Sequence, residues 1–160
     1  WFGSPLIDAF ASYMIDRIVT KDAKIFKNIK FKLSSGLGDK KIDLMLCDYS
    51  EKKIWIIEVK HQFSTKTVEE ALGRLLLAHE VLSEGRPSKI RTKRFLFFKG
   101  SEIDSESIKG FEKEKIAVFW KELGEKSLED SEREEGLLIE TLRKYEIRVF
   151  FKNEVDFTEI

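Results

Sequence analysis

The run Ile54-Trp55-Ile56-Ile57-Glu58-Val59-Lys60 constrains this chain more than any other stretch. Side chains alternate along a strand, so Ile54, Ile56, Glu58 and Lys60 share one face and Trp55, Ile57 and Val59 the other. Both faces are apolar over most of their length, which predicts a central strand covered on both sides. An upstream run, Ile42 to Cys47, has the same β-branched and apolar character, and the polar segment Asp48 to Lys53 separates the two. The pattern is that of a β-hairpin. Folding the chain about Glu51 and Lys52 brings Asp43 opposite the neighbourhood of Val59 and Lys60, so Asp43 and Glu58 lie on adjacent strands within reach of one ion. An acid and an amine ending a buried strand need a partner, because buried charge is costly unless paired or bound to a metal.

At these residues the chain resembles the PD-(D/E)XK nuclease superfamily, whose pattern is an Asp at a strand or turn and then an apolar strand ending in Glu-x-Lys. Here the two parts are Ile42-Asp43-Leu44 and Ile56-Ile57-Glu58-Val59-Lys60. The resemblance implies an α/β fold with a restriction-endonuclease-like core of order αβββαβ, its mixed central sheet flanked by helices. It implies that Asp43 and Glu58 bind a divalent metal, that the Val59 carbonyl is a further ligand, and that Lys60 lies beside the attacking water. Relatives often carry a Glu on the first helix that completes the metal set. This chain has no Glu before Glu51. Asp8 and Asp16 are the acids available on that helix; both lie off its apolar stripe, and Asp8 is nearer the family position.

Carboxylates and a carbonyl are hard oxygen ligands suited to Mg²⁺ or Mn²⁺. Such an ion lowers the pKa of a water and offsets charge on a scissile phosphate, while Lys60 orients or deprotonates that water. The resemblance implies 5′-phosphate and 3′-hydroxyl products and DNA as the leading substrate. Lys40, Lys41, His61, Arg74 and Arg91 are the expected nucleic-acid contacts, and two-fold symmetric substrates would call for a homodimer.

The chain has 160 residues and is 42% apolar, enough for one domain with a full core. The expected core covers about residues 4 to 123, with an acidic loop and helix over 124 to 160. No apolar run approaches a membrane span, nothing resembles a secretory signal, and a lone Cys47 inside a strand suits a reduced, cytoplasmic thiol. With only His61 and His79 beside that cysteine, structural zinc is disfavoured. The first residue is Trp1, as expected of a domain excised from a longer chain. Net charge is zero but divided: residues 1 to 100 hold 19 Lys and Arg against 12 Asp and Glu, and residues 101 to 160 hold 10 against 17. A polyanion would be drawn to the half with the candidate site.

Ser4 to Thr20 reads as a helix with Ser4 as N-cap, Pro5 in the first turn and a stripe of Leu6, Ile7, Phe10, Tyr13, Met14 and Ile18. Ala23 to Leu33 reads as a strand with one wet face of lysines, either tracking a phosphate backbone or guarding an exposed edge. Ser64 or Thr65 caps a second helix running to about Glu84. Within it Glu70-Ala71-Leu72-Gly73-Arg74 is similar to a Gln-containing motif of some nuclease families, with Arg74 in place of the Gln and available as a phosphate donor. His61 and His79 read as surface residues or neighbours of the site rather than bases. Gly85 to Arg94 is a basic loop, Phe95 to Lys99 a buried strand that completes the core, Ile103 to Glu114 a short helix, Lys115 to Trp120 a strand, Glu135 to Tyr145 a helix and Arg148 to Phe157 an extended segment.

Two other functions fit the same residues. A degenerate relative would bind nucleic acid without cutting it, and an interaction domain would use the divided charge for a protein partner, with Glu58 and Lys60 merely paired.

Overall fold

The computed structural model describes residues 5–20, 22–32, 40–83, 95–98, 101–102, 108, 110–122 and 134–152. Among them the order is α1 (Pro5–Arg17), β1 (Ala23–Lys32), β2 (Lys40–Asp48), β3 (Lys53–Lys60), α2 (Thr65–Leu82), β4 (Phe95–Phe98), β5 (Ser101–Glu102), β6 (Glu112–Phe119), α3 (Glu134–Lys144) and β7 (Ile147–Phe151). The strands form one mixed sheet in the order β5-β4-β1-β2-β3-β6-β7. Helices pack on both faces, making an α/β fold. Ser4, Gly85 to Arg94 (with Arg91), most of Ile103 to Lys109, the acidic stretch 123–133 and residues 153–160 lie outside the described residues.

The sheet is covered on both sides because β3 is apolar on both sides. Trp55, Ile57 and Val59 join Leu6, Ile7, Phe10, Ala11 and Met14 of α1 in one cluster. Ile54 and Ile56 join Val68, Ala71, Leu75, Ala78 and Val81 of α2 and Ile139 and Leu142 of α3 in the other. Ile54, Ile56 and Ile57 are fully buried, each worth about 1.5–3 kcal/mol. That is enough to carry one carboxylate, Glu58, into the interior with the strand.

The hairpin closes differently from the expected register. Its last pair is Asp48↔Lys53, leaving residues 49–52 as the loop, and Leu44 faces Ile57, so Asp43 comes level with Glu58 rather than with Val59 and Lys60. Lys52 at φ 54° supplies the left-handed residue that closes a short connection. Asp48 is fully buried beneath this loop. Its carboxylate accepts from the Thr20 amide (2.8 Å), the Thr20 hydroxyl (2.7 Å) and the Ser50 and Glu51 amides (3.1 Å each).

Two expectations, one at the start of β6 and one at β1, are corrected. The other strand beside β3 is β6, parallel to it from Lys53↔Glu112 to Lys60↔Phe119. Phe95–Phe98 pairs antiparallel with β1 on the far side. A parallel neighbour of β3 needs a long crossover, and the chain through α2 supplies it. Glu112 to Glu114 therefore belong to a strand, not to the end of a helix. β1 lies between β4 and β2, so it is no exposed edge. Nor do Lys24 and Lys27 share a face, because Lys24 pairs with Cys47 and Lys27 with Leu44, whose side chains point to opposite sides.

β1 also carries a kink. Lys27↔Leu44 and Ile29↔Ile42 are paired, but Asn28, between them at φ 53°, is not paired with Asp43. Asn is among the residues that best tolerate this conformation. The distortion lies on the strand next to Asp43.

Candidate functional site

The sheet forks at the candidate site. The β2–β3 ladder ends at Leu44↔Ile57, after which β2 remains paired with β1 through Lys40 and β3 remains paired with β6 through Lys60. Two carboxylates bridge the opening. Asp43 Oδ2 accepts from the Val59 amide at 2.8 Å, and Glu58 Oε1 accepts from the Asp43 amide at 3.0 Å. Each acid thus replaces a backbone acceptor that the diverging ladder removes. Sequence alternation decides that Glu58 ends on the α2 face of β3.

Backbone geometry adds a third oxygen. The Lys60 carbonyl accepts from the Trp120 amide on the β6 side at 2.9 Å. Successive residues of a strand point their polar groups to alternate sides, and the Val59 amide reaches Asp43 on the β2 side. The Val59 carbonyl is therefore directed into the fork.

Helix α2 closes the site from above its face of the sheet. Its start is fixed by a capping box in which Thr67 N donates to Ser64 Oγ and Ser64 N donates to Thr67 Oγ1. Ala71 and Leu75 are fully buried, which turns Glu70 and Arg74, one helical turn apart, along the same edge. Lys60 Nζ donates to Glu70 Oε2 at 3.3 Å, and Arg74 Nη1 lies 3.5 Å from Glu58 Oε2. Glu58 Oε2 is buried and has no hydrogen-bond partner.

Electrostatics follow from this packing. Glu58 is fully buried, and burial together with the neighbouring Asp43 charge pushes its carboxyl up to about 8, against Arg74, the Asp43 amide and Lys60. Burial likewise raises Asp43, opposed by the Val59 amide and by Lys60, Arg74 and Lys41. Two acids side by side in an apolar setting disfavour joint ionisation unless a cation neutralises them. An orphaned buried carboxylate oxygen, a second carboxylate and an inward carbonyl suit a hard divalent ion.

The residues expected at the site separate into two groups. Asp43, Glu58, Val59, Lys60 and Arg74 come together. Asp8 does not join them: it sits on α1, its side chain is 56% exposed, and its carboxylate is bonded to Lys27. Asp16 is exposed on the same helix. Among the described residues no group of three or more His, Cys, Asp or Glu side chains gathers to hold a metal, so the helix-one acid of the family pattern has no counterpart there. Lys41 and His61 are exposed near the fork, Lys40 begins β2, and Arg91 is outside the described residues. His79 stands in the last turn of α2, where burial and the charges of Lys115 and Lys113 lower its pKa.

Glu70 carried no role in the sequence, and Arg74 was expected on a phosphate rather than on Glu58. The available signal was their four-residue spacing on α2 with opposite charges, set against the two-residue spacing of Glu58 and Lys60. No family model matches the chain, and no curated protein matches it.

Proposed function

We propose that this chain is a metal-dependent nuclease that hydrolyses phosphodiester bonds, DNA foremost, on a restriction-endonuclease-like core. The observation that carries it is the pair Asp43 and Glu58 across the strand fork, with Glu58 Oε2 buried and lacking a hydrogen bond. The α1-β1-β2-β3-α2 order and the Glu-Val-Lys end of β3 agree with it, and β6 beside β3 takes the place of the last core strand.

Asp43, Glu58 and the Val59 carbonyl would hold Mg²⁺ or Mn²⁺. Bound there, the ion supplies Lewis-acid activation of water and charge neutralisation at phosphate. Lys60 would orient the attacking water and, as the neutral amine, take its proton. Its side chain is 15% exposed at the end of β3. Glu70 holds that amine in place, and the electropositive first hundred residues draw the polyanion. The same reading puts the protein in the cytoplasm, with Cys47 a buried reduced thiol whose pKa burial pushes up to about 12. A substrate with two-fold symmetry would be met by a homodimer.

The test is cleavage of linear, single-stranded, supercoiled and branched DNA, and of RNA, with Mn²⁺, Mg²⁺ or EDTA. Metal-dependent cutting lost in both Glu58→Ala and Lys60→Ala is the expected result. A second reading, a module that binds nucleic acid without cutting it, is favoured by the Arg74–Glu58 and Lys60–Glu70 pairs, which neutralise the charged groups internally. Binding indifferent to metal and to both substitutions, with no cleavage of any substrate, would establish that reading instead.

A further inference from the structure

We propose that Arg74 is the resident counter-cation of Glu58, that a divalent cation entering the fork displaces it, and that the displaced guanidinium then engages a phosphate of the bound nucleic acid. This rests on the nuclease reading of the site. Glu58 is fully buried, with Oε1 occupied by the Asp43 amide and Oε2 carrying no hydrogen bond. Arg74 Nη1 stands 3.5 Å from that free oxygen. A committed guanidinium–carboxylate pair is bidentate, with contacts of about 2.7–2.9 Å. Here the guanidinium lies against the Glu58 carboxyl group without bonding it, so little is lost when it leaves.

The surroundings favour exchange. Arg74 has a side chain 38% exposed, so its end can turn to solvent while its helix stays anchored by Ala71 and Leu75. Asp43 and Glu58 are neighbours across the fork, yet of the two only Glu58 has an ion-pair contact with Arg74. A divalent ion matches the charge of the pair better than one guanidinium and repels that guanidinium once bound. Lys60 is tied separately to Glu70, one turn back on α2, so Arg74 can depart without releasing Lys60. The planar fork of an arginine is matched to phosphate oxygens, which gives the displaced group a destination.

The test measures metal binding without turnover. Mn²⁺ affinity is determined by calorimetry for the wild type, Arg74→Met, Arg74→Lys and Glu58→Gln, with thermal unfolding to verify that each is folded. Removing a positive charge beside the ion should make Arg74→Met bind about tenfold tighter or more, with Arg74→Lys close to the wild type and Glu58→Gln binding lost. Equal or weaker binding by Arg74→Met overturns the displacement while leaving the metal site intact. Absence of Mn²⁺ binding in every variant overturns the nuclease reading itself. In the second arm, duplex DNA affinity is compared in Ca²⁺ and in EDTA: the wild type should gain affinity with Ca²⁺ and Arg74→Met should lose most of that gain. An undiminished gain in Arg74→Met removes the phosphate role.

Discussion

The Asp43 amide donates to Glu58 Oε1 at 3.0 Å, so the backbone of one acid holds the side chain of the other beside it. Burial raises both carboxyls, and the neighbouring Asp43 charge adds to it at Glu58, which is pushed up to about 8 from an ordinary 4.5. A group whose folded pKa is raised binds its proton more tightly in the native state, so its contribution is complete below the unfolded value and is lost as pH rises through the folded one. Metal-free protein should therefore lose stability between about pH 4.5 and pH 8, by up to about 1.4 kcal/mol per pH unit. Chemical denaturation at a series of pH values checks this, and Glu58→Gln should flatten the slope. Mn²⁺ should raise the melting temperature of the wild type at pH 8 and leave that of Glu58→Gln unchanged.

Lys60 and Glu70 should separate chemistry from positioning. On the nuclease reading, Lys60→Ala removes the amine at the end of β3 and is expected to abolish cleavage, a loss of about 100-fold or more, while Mn²⁺ still binds. Glu70→Gln keeps the amine and loses only its anchor, so single-turnover cleavage should fall by about tenfold with metal affinity close to the wild type. A Glu70→Gln variant as inactive as Lys60→Ala would assign Glu70 a direct part in the proposed reaction.

The hairpin was legible because β3 states its own environment: apolar on both faces, then Glu and Lys at its end. Its register was not, because the residue that ends a short loop, Lys52 in a left-handed conformation, has no side-chain signature for that role. The second neighbour of β3 was not legible for a related reason. Phe95–Phe98 is the more apolar segment, whereas β6 begins with the charged Glu112-Lys113-Glu114 and becomes buried only from Lys115 onward. Those charges are accommodated at the strand's open end, where Glu114 pairs with Lys53 at 2.9 Å. Asp43, Glu58 and Lys60 were readable from one motif. Their partners Glu70 and Arg74 depend on how α2 packs across the sheet, which local sequence does not encode.

Asn28 supplies a test of the backbone around the site. Its φ of 53° interrupts β1 beside Asp43. Glycine adopts this conformation without strain and β-branched residues do so poorly. Asn28→Gly should leave stability unchanged or raise it slightly, whereas Asn28→Val should cost about 1–3 kcal/mol in urea unfolding. On the nuclease reading, Asn28→Val should also lower cleavage more than its instability accounts for, because straightening β1 shifts β2 and with it Asp43.

Asp48 marks the opposite, structural use of a buried acid. Burial alone would raise its carboxyl, but hydrogen bonds from the Thr20 hydroxyl and amide and from the Glu51 and Ser50 amides together hold it below the ordinary value. A depressed pKa gives stability that is present above the unfolded value of 3.8 and lost as pH falls through the folded one. Asp48→Ala leaves those donors without their acceptor and should destabilise by about 2–4 kcal/mol, with Mn²⁺ affinity unchanged because the residue lies at the far end of the hairpin from Asp43. Urea unfolding at pH 7 and pH 3 distinguishes this role from that of Glu58: the difference between Asp48→Ala and the wild type should shrink at the lower pH. A difference that stays constant would assign the loss to packing rather than to the ionised carboxylate.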